Sequence, residues 1–232
     1  MQTYPVERTP MELIVDSADL SSVKELDELL DIAGVTTNPT IVARTGLSPE
    51  RAISDLVAYL RPDQKLFVQV VRTDLAGILE EARAINALRP ENTYAKIPVT
   101  RSGLRAIKAA KAEGLRVLAT AINSAEQGFL AALSGADYLA PYCNRMCAYG
   151  DGVQRVIDLI DMVAVNELPS KVMAASFHNV EQIHQLILAG IPAVTVPPAL
   201  ICAMADHPGT TKAVDDFSTI WREAYGRDAL FA

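Results

Sequence analysis

The chain has 232 residues, long for one ordinary domain but normal for a single α/β barrel, and half of them are hydrophobic, enough for a large core without disulfides or metals. Lys and Arg number 21 against 28 Asp and Glu, a net charge of −7 with no basic block, which argues against nucleic-acid binding. No apolar run reaches membrane-spanning length and no leader-like segment opens the chain, so no membrane association and a cytoplasmic location are expected.

Apolar strand-like runs alternate with helical patterns from end to end. Residues 1–10, polar and carrying two prolines, read as an arm. Glu12–Asp16 reads as a strand and Leu20–Asp31 as a helix capped by Ser17 or Asp19. Gly34–Asn38 is a short strand and Pro49–Leu60 a helix; Leu66–Val71 is a strand and Leu75–Leu88 a helix. Thr93–Val99, Leu115–Ile122, Tyr138–Cys143, Lys171–Ser176 and Ala193–Val196 supply the remaining strands. The helices between them span Gly103–Glu113, Ala125–Leu133, Val153–Val165 and Val180–Leu188. A short helix near Ala199–Ala205 follows, and then an amphipathic segment, Thr211–Tyr225. Eight strands with intervening helices point to a closed parallel barrel; an open doubly wound sheet is the other solution, and strand order decides between them. No Gly-rich phosphate or dinucleotide fingerprint follows any strand, and no linker divides the chain, so one domain over 1–232 is expected.

Lys96 stands in the apolar run Tyr94–Thr100. In a buried strand the loss of water disfavours an ammonium, and a neutral amine in a pocket can form a Schiff base with a carbonyl substrate. A lysine that snorkels to water from a strand end is the plainer alternative. In parallel barrels the chemistry sits at the C-terminal ends of the strands. Those ends carry Asp16, Asn38, Gln69, Lys96, Thr120, Tyr142 with Asn144 and Arg145, and Ser176. Singly, Asp16 and Ser176 could be helix caps, Asn38 a turn before Pro39 and Arg145 half of a surface salt bridge.

Together they suit a carbonyl chemistry. Tyr142 can give and take protons, Asp16 can orient substrate hydroxyls or shuttle a proton, and Gln69 with Thr120 can hold a water. Arg145 offers a fork of donors to a phosphate, and Ser176 a hydroxyl at the start of a helix. No metal or other cofactor is expected. His178, His184 and His207 have no ligand spacing, and Cys143 and Cys147, four apart, read as ordinary thiols beside Arg145 rather than zinc ligands.

Three segments, Gly34-Val35-Thr36-Thr37-Asn38-Pro39-Thr40, Ala95-Lys96-Ile97-Pro98-Val99-Thr100 and Ala140-Pro141-Tyr142 through Asn144-Arg145, resemble the transaldolase family over about Met11–Arg227. The resemblance implies a (β/α)8 TIM barrel with an extra C-terminal helix and a metal-independent class I mechanism with Lys96 as the Schiff-base lysine. It also implies catalytic roles for Tyr142, Asp16, Gln69 and Thr120, and substrate binding by Thr36, Asn38, Arg145 and Ser176. Glutamine at 69 with tyrosine at 142 resembles the fructose-6-phosphate aldolase branch, where transaldolases carry glutamate and phenylalanine. A sugar phosphate or dihydroxyacetone is the implied partner, in a homo-oligomeric ring, a pentamer or decamer, for which Phe217, Ile220 and Trp221 supply an apolar face. A transaldolase and a non-catalytic sugar-phosphate-binding barrel are the alternatives. Met146–Gly152, His178 and Asn123 depart from the family pattern.

Overall fold

Seven helices of the chain start on a short polar side chain that caps them, and this repeat helps build the fold. Asp19, Ser48, Asp74, Thr100, Ser124, Asp151 and Asn179 each accept a backbone N–H from three residues on, satisfying donors a helix start leaves unpaired. The computed structural model describes residues 10–89 and 91–231. The arm expected over residues 1–10 lies outside the described residues apart from Pro10. By itself the described chain falls into two compact units, one ending at Pro198 and one beginning at Ala199.

The first unit holds eight strands: β1 Glu12–Asp16, β2 Gly34–Thr36, β3 Lys65–Gln69, β4 Thr93–Pro98, β5 Val117–Ile122, β6 Tyr138–Pro141, β7 Lys171–Ala174 and β8 Ala193–Val196. All neighbours are parallel, and β1 pairs with β8 (Leu13 opposite Val194), so the sheet closes in the order β1 to β8. Closure settles the choice against an open sheet and removes every edge. The strands read as nearly continuous apolar runs because both faces are covered. Ile14, Val15, Leu66, Phe67, Leu118 and Ala119 are all fully buried.

The helices of this unit are α1 Leu20–Leu29, α2 Pro39–Arg44, α3 Pro49–Tyr59, α4 Leu75–Ala87, α5 Arg101–Ala112, α6 Ala125–Leu133, α7 Cys143–Met146, α8 Gly152–Val165 and α9 Val180–Leu188. Two of them, α2 and α7, were not anticipated. Asn38 was assigned to a strand, but its side chain accepts from the Ile41 N–H (2.9 Å) and Pro39 takes the first helical position, so the chain turns helical two residues after β2. Six and four residues show too little periodicity to be read as helices. Gly103 at the start of α5 is a packing requirement: a Cβ there would lie 1.9 Å from the Pro98 carbonyl oxygen. The helix therefore sits directly on the end of β4, the strand that carries Lys96.

At the N-terminal ends of the strands the barrel is plugged. Phe67 and Tyr94 stack at 4.7 Å, and Tyr138 meets both edge-on at 5.2 and 5.3 Å. The Tyr138 hydroxyl donates to Glu12 (2.8 Å), Lys171 donates to the same carboxylate (2.6 Å), and Lys65 lies 3.5 Å away.

The second unit carries α10 (Pro198–Ala205) from Ala199 on, and α11, Pro208–Tyr225. The last helix starts three residues before the expected Thr211, because His207 caps it through the Gly209 N–H (3.1 Å) and Pro208 opens it. It ends at Gly226, whose φ of 64° breaks the helix. Val214, Phe217 and Ile220 are exposed on α11. Among the described residues no helix is long and apolar enough to cross a membrane.

Candidate active site

Register places the first three candidates. Gln69 on β3 stands opposite Lys96 on β4, and Lys96 stands opposite Leu118 on β5. Side chains two apart share a face, so Thr120, two residues past Leu118, projects to the same interior side. Lys96 is 3% exposed, and its Nζ donates to the Thr37 carbonyl at 3.0 Å. It does not snorkel to bulk water. It lines a cavity of about 460 Å³ at the C-terminal mouth of the barrel together with Asp16, Asn38, Gln69, Tyr142, Arg145 and Ser176.

Tyr142 follows β6 directly and bridges to Ala175 beyond β7. Its hydroxyl lies 3.2 Å from Thr120 Oγ1, and the Arg145 guanidinium sits 4.7 Å from its ring centroid. No carboxylate pairs with Arg145 among the described residues, so the surface salt bridge considered for it is not formed. Gln69 Oε1 is buried and has no hydrogen-bond partner. An orphan acceptor on a cavity wall costs free energy unless a water or substrate hydroxyl fills it.

Asp16 accepts from Thr36 Oγ1 at 2.7 Å, and Thr36 in turn lies 2.5 Å from Thr195 Oγ1. Thr36 was expected to bind substrate but is fully buried and does not reach the cavity. It reaches Asp16 instead, so any effect on substrate passes through that carboxylate. Asn38 spends its carbonyl oxygen on α2, leaving its amide N–H groups for the cavity.

Ser176 does not begin a helix: Asn179 is the cap of α9, so the hydroxyl was placed at a helix start wrongly. It is held differently, at φ 59°, the left-handed region that costs a non-glycine residue free energy. Its carbonyl accepts from the Asn144 N–H at 3.0 Å, tying β7's end to the segment that carries Arg145. The other left-handed residue at the mouth is Ala121 (φ 56°), where the β5–β6 register shifts between Ala119 and Ile122. Such bulges re-aim side chains beside active sites, and this one adjoins Thr120.

Cys143 is fully buried, and burial, followed by the nearby Cys147 and Asp151, pushes its thiol up to about 12. Cys147 donates to the Cys143 carbonyl at 3.4 Å. Among the described residues no three His, Cys, Asp or Glu side chains are grouped to hold a metal. Arg44, the last residue of α2, also lines the cavity and was missed. The only signal would have been a helix starting at Asn38-Pro39, six residues before it.

The sequence profile of the transaldolase/fructose-6-phosphate aldolase family matches residues 13–229. The chain belongs to this family. As a member it is an aldolase-type enzyme, a lyase or transferase acting on carbon–carbon bonds. A solved structure titled "Native KDPGal structure" shares the fold, at 18% identity and a TM-score of 0.53, over 84% of this chain and 85% of that one. Met146–Gly152 and His178, read above as departures from the family pattern, adjoin Arg145 and Ser176 along the chain.

Proposed function

We propose that this chain is a class I aldolase that reversibly cleaves fructose 6-phosphate, or a related ketose phosphate, to dihydroxyacetone and glyceraldehyde 3-phosphate. The observation that carries the reading is a buried lysine amine lining the same cavity as a tyrosine hydroxyl and an unpaired glutamine oxygen.

In this reading Lys96 adds to the ketone to form a carbinolamine, and loss of water leaves an iminium. Electrons of the C3–C4 bond then flow into the iminium as Tyr142, through a water held by Gln69 and Thr120, takes the C4 hydroxyl proton. The aldehyde phosphate departs, C3 of the enamine is protonated, and hydrolysis frees dihydroxyacetone and Lys96. Asp16 and Asn38 orient the hydroxyls near the carbonyl, and Arg145 with Ser176 holds the phosphate. Three unpaired thiols, Cys143, Cys147 and Cys202, support a cytoplasmic setting. The exposed Val214, Phe217 and Ile220 of α11 support a homo-oligomer.

The test is borohydride reduction in the presence of dihydroxyacetone or fructose 6-phosphate, followed by peptide mass analysis. A reduced adduct on Lys96 is expected. A folded protein that gives no adduct with either ligand would remove the reading, and cleavage that requires an acceptor aldehyde would replace it with a transaldolase.

A further inference from the structure

Thr195 is the one polar side chain of β8, a strand that otherwise reads Ala193, Val194 and Val196, and it is almost fully buried. A buried strand threonine ordinarily spends its hydroxyl on a backbone carbonyl, as Thr37 does on that of Phe67 at 3.2 Å. Thr195 instead meets the side chain of Thr36, Oγ1 to Oγ1, at 2.5 Å. The two residues belong to β8 and β2, the strands on either side of β1. Asp16 stands opposite Thr36, and Ile14, two residues earlier on the same face of β1, stands opposite Thr195.

Counting protons gives this contact a direction. A hydroxyl carries one proton, and Thr36 gives its own to Asp16 Oδ1 at 2.7 Å. The proton between the two threonines therefore comes from Thr195. Both hydrogen bonds run the same way, towards the carboxylate. Both threonines are buried, and there hydrogen bonds in series polarise one another. Among the described residues no other side chain or backbone N–H donates to Asp16. The pair of threonines thus sets where Oδ1 stands, and the planar carboxylate carries Oδ2 with it. Asp16 lines the cavity that holds Lys96.

We infer that Thr195 is a positioning residue: it donates to Thr36, which donates to Asp16, and so holds the carboxylate that orients the substrate's hydroxyls. The inference rests on the Schiff-base reading and on the role given there to Asp16. Thr195 touches no substrate, and its effect is felt only by a ligand whose hydroxyls Asp16 can bind.

The test titrates reduced-adduct formation at Lys96 with dihydroxyacetone and with acetone, which has no hydroxyl for Asp16 to orient. Wild type, Thr195→Val, Thr195→Ser and Asp16→Ala are compared, each with its unfolding midpoint. Thr195→Val keeps the shape and removes the donor. It is expected to raise the half-saturating dihydroxyacetone concentration about three- to tenfold, the scale of one hydrogen bond, and to leave acetone unchanged. Thr195→Ser, which keeps the donor, should restore dihydroxyacetone binding. In an Asp16→Ala background Thr195→Val should add nothing. Should valine not give folded protein, Thr195→Cys supplies a weak donor and is expected to fall between serine and valine. Equal weakening with both ligands, no weakening with either, or failure of serine to restore binding would overturn the inference. In each of those cases a wild-type adduct at Lys96 would leave the Schiff-base reading standing, whereas no wild-type adduct with either ligand would remove both.

Discussion

At the N-terminal end of the barrel Glu12 accepts from Tyr138 and Lys171 and lies near Lys65, within a packed triad of aromatic rings. At the C-terminal end Gln69 Oε1 accepts nothing, Arg44 and Arg145 form no ion pair among the described residues, and Ser176 holds a left-handed backbone. The same eight strands supply both ends. One end satisfies its polar groups inside the fold and so stabilises it. The other leaves acceptors, cations and strain unspent, the condition expected where a ligand completes the structure.

The sharpest way to break this contrast is Lys96→Ala. Carbon–carbon cleavage should fall by on the order of 10⁴-fold or more, since the covalent route is lost, while circular dichroism and the unfolding midpoint stay near wild type. Retained turnover would take Lys96 out of the mechanism. Tyr142→Phe should cost about 10²- to 10⁴-fold in kcat, the usual range for a positioned acid–base group. Because the phenylalanine keeps the ring, the Lys96 adduct should still form in the trapping assay. A variant with wild-type kcat would mean that Tyr142 only packs under Arg145.

The N-terminal end should respond in stability alone. Glu12→Gln should destabilise by roughly 1–3 kcal/mol without altering kcat. Burial raises the Glu12 carboxyl, but the hydrogen bonds from Lys171 and Tyr138 and the nearby lysines outweigh it and hold the group below its ordinary 4.5. A depressed carboxylate stabilises fully above its unfolded value and loses that contribution as pH falls through the folded one. The difference in unfolding midpoint between wild type and Glu12→Gln should therefore be level at neutral pH and shrink below 4.5. A difference that did not change with pH would show that the two proteins differ in packing rather than charge.

Much of the barrel was legible because its signals are local. Strand β1 and helices α6 and α9 begin and end where periodicity and capping residues put them, and Lys96 was conspicuous as one charge in an apolar strand. Failures came where six residues or fewer decide the outcome, at α2 and α7, and at Ser176, whose left-handed backbone replaces the helix start expected from its neighbours. Arg44 could not be singled out while α2 was invisible. Thr36 shared a recognisable motif with Asn38, yet one faces Asp16 and the other the cavity.

By itself the sequence determined the alternation of strand and helix, the family, and which residue types stand at the strand ends, since these follow from neighbours along the chain. Only the tertiary structure decided that β1 closes on β8, that Thr36 reaches Asp16, that Gln69 Oε1 has no partner and that two arginines share one cavity. Each of those depends on groups tens of residues apart meeting in space, and neither periodicity nor capping carries that distance.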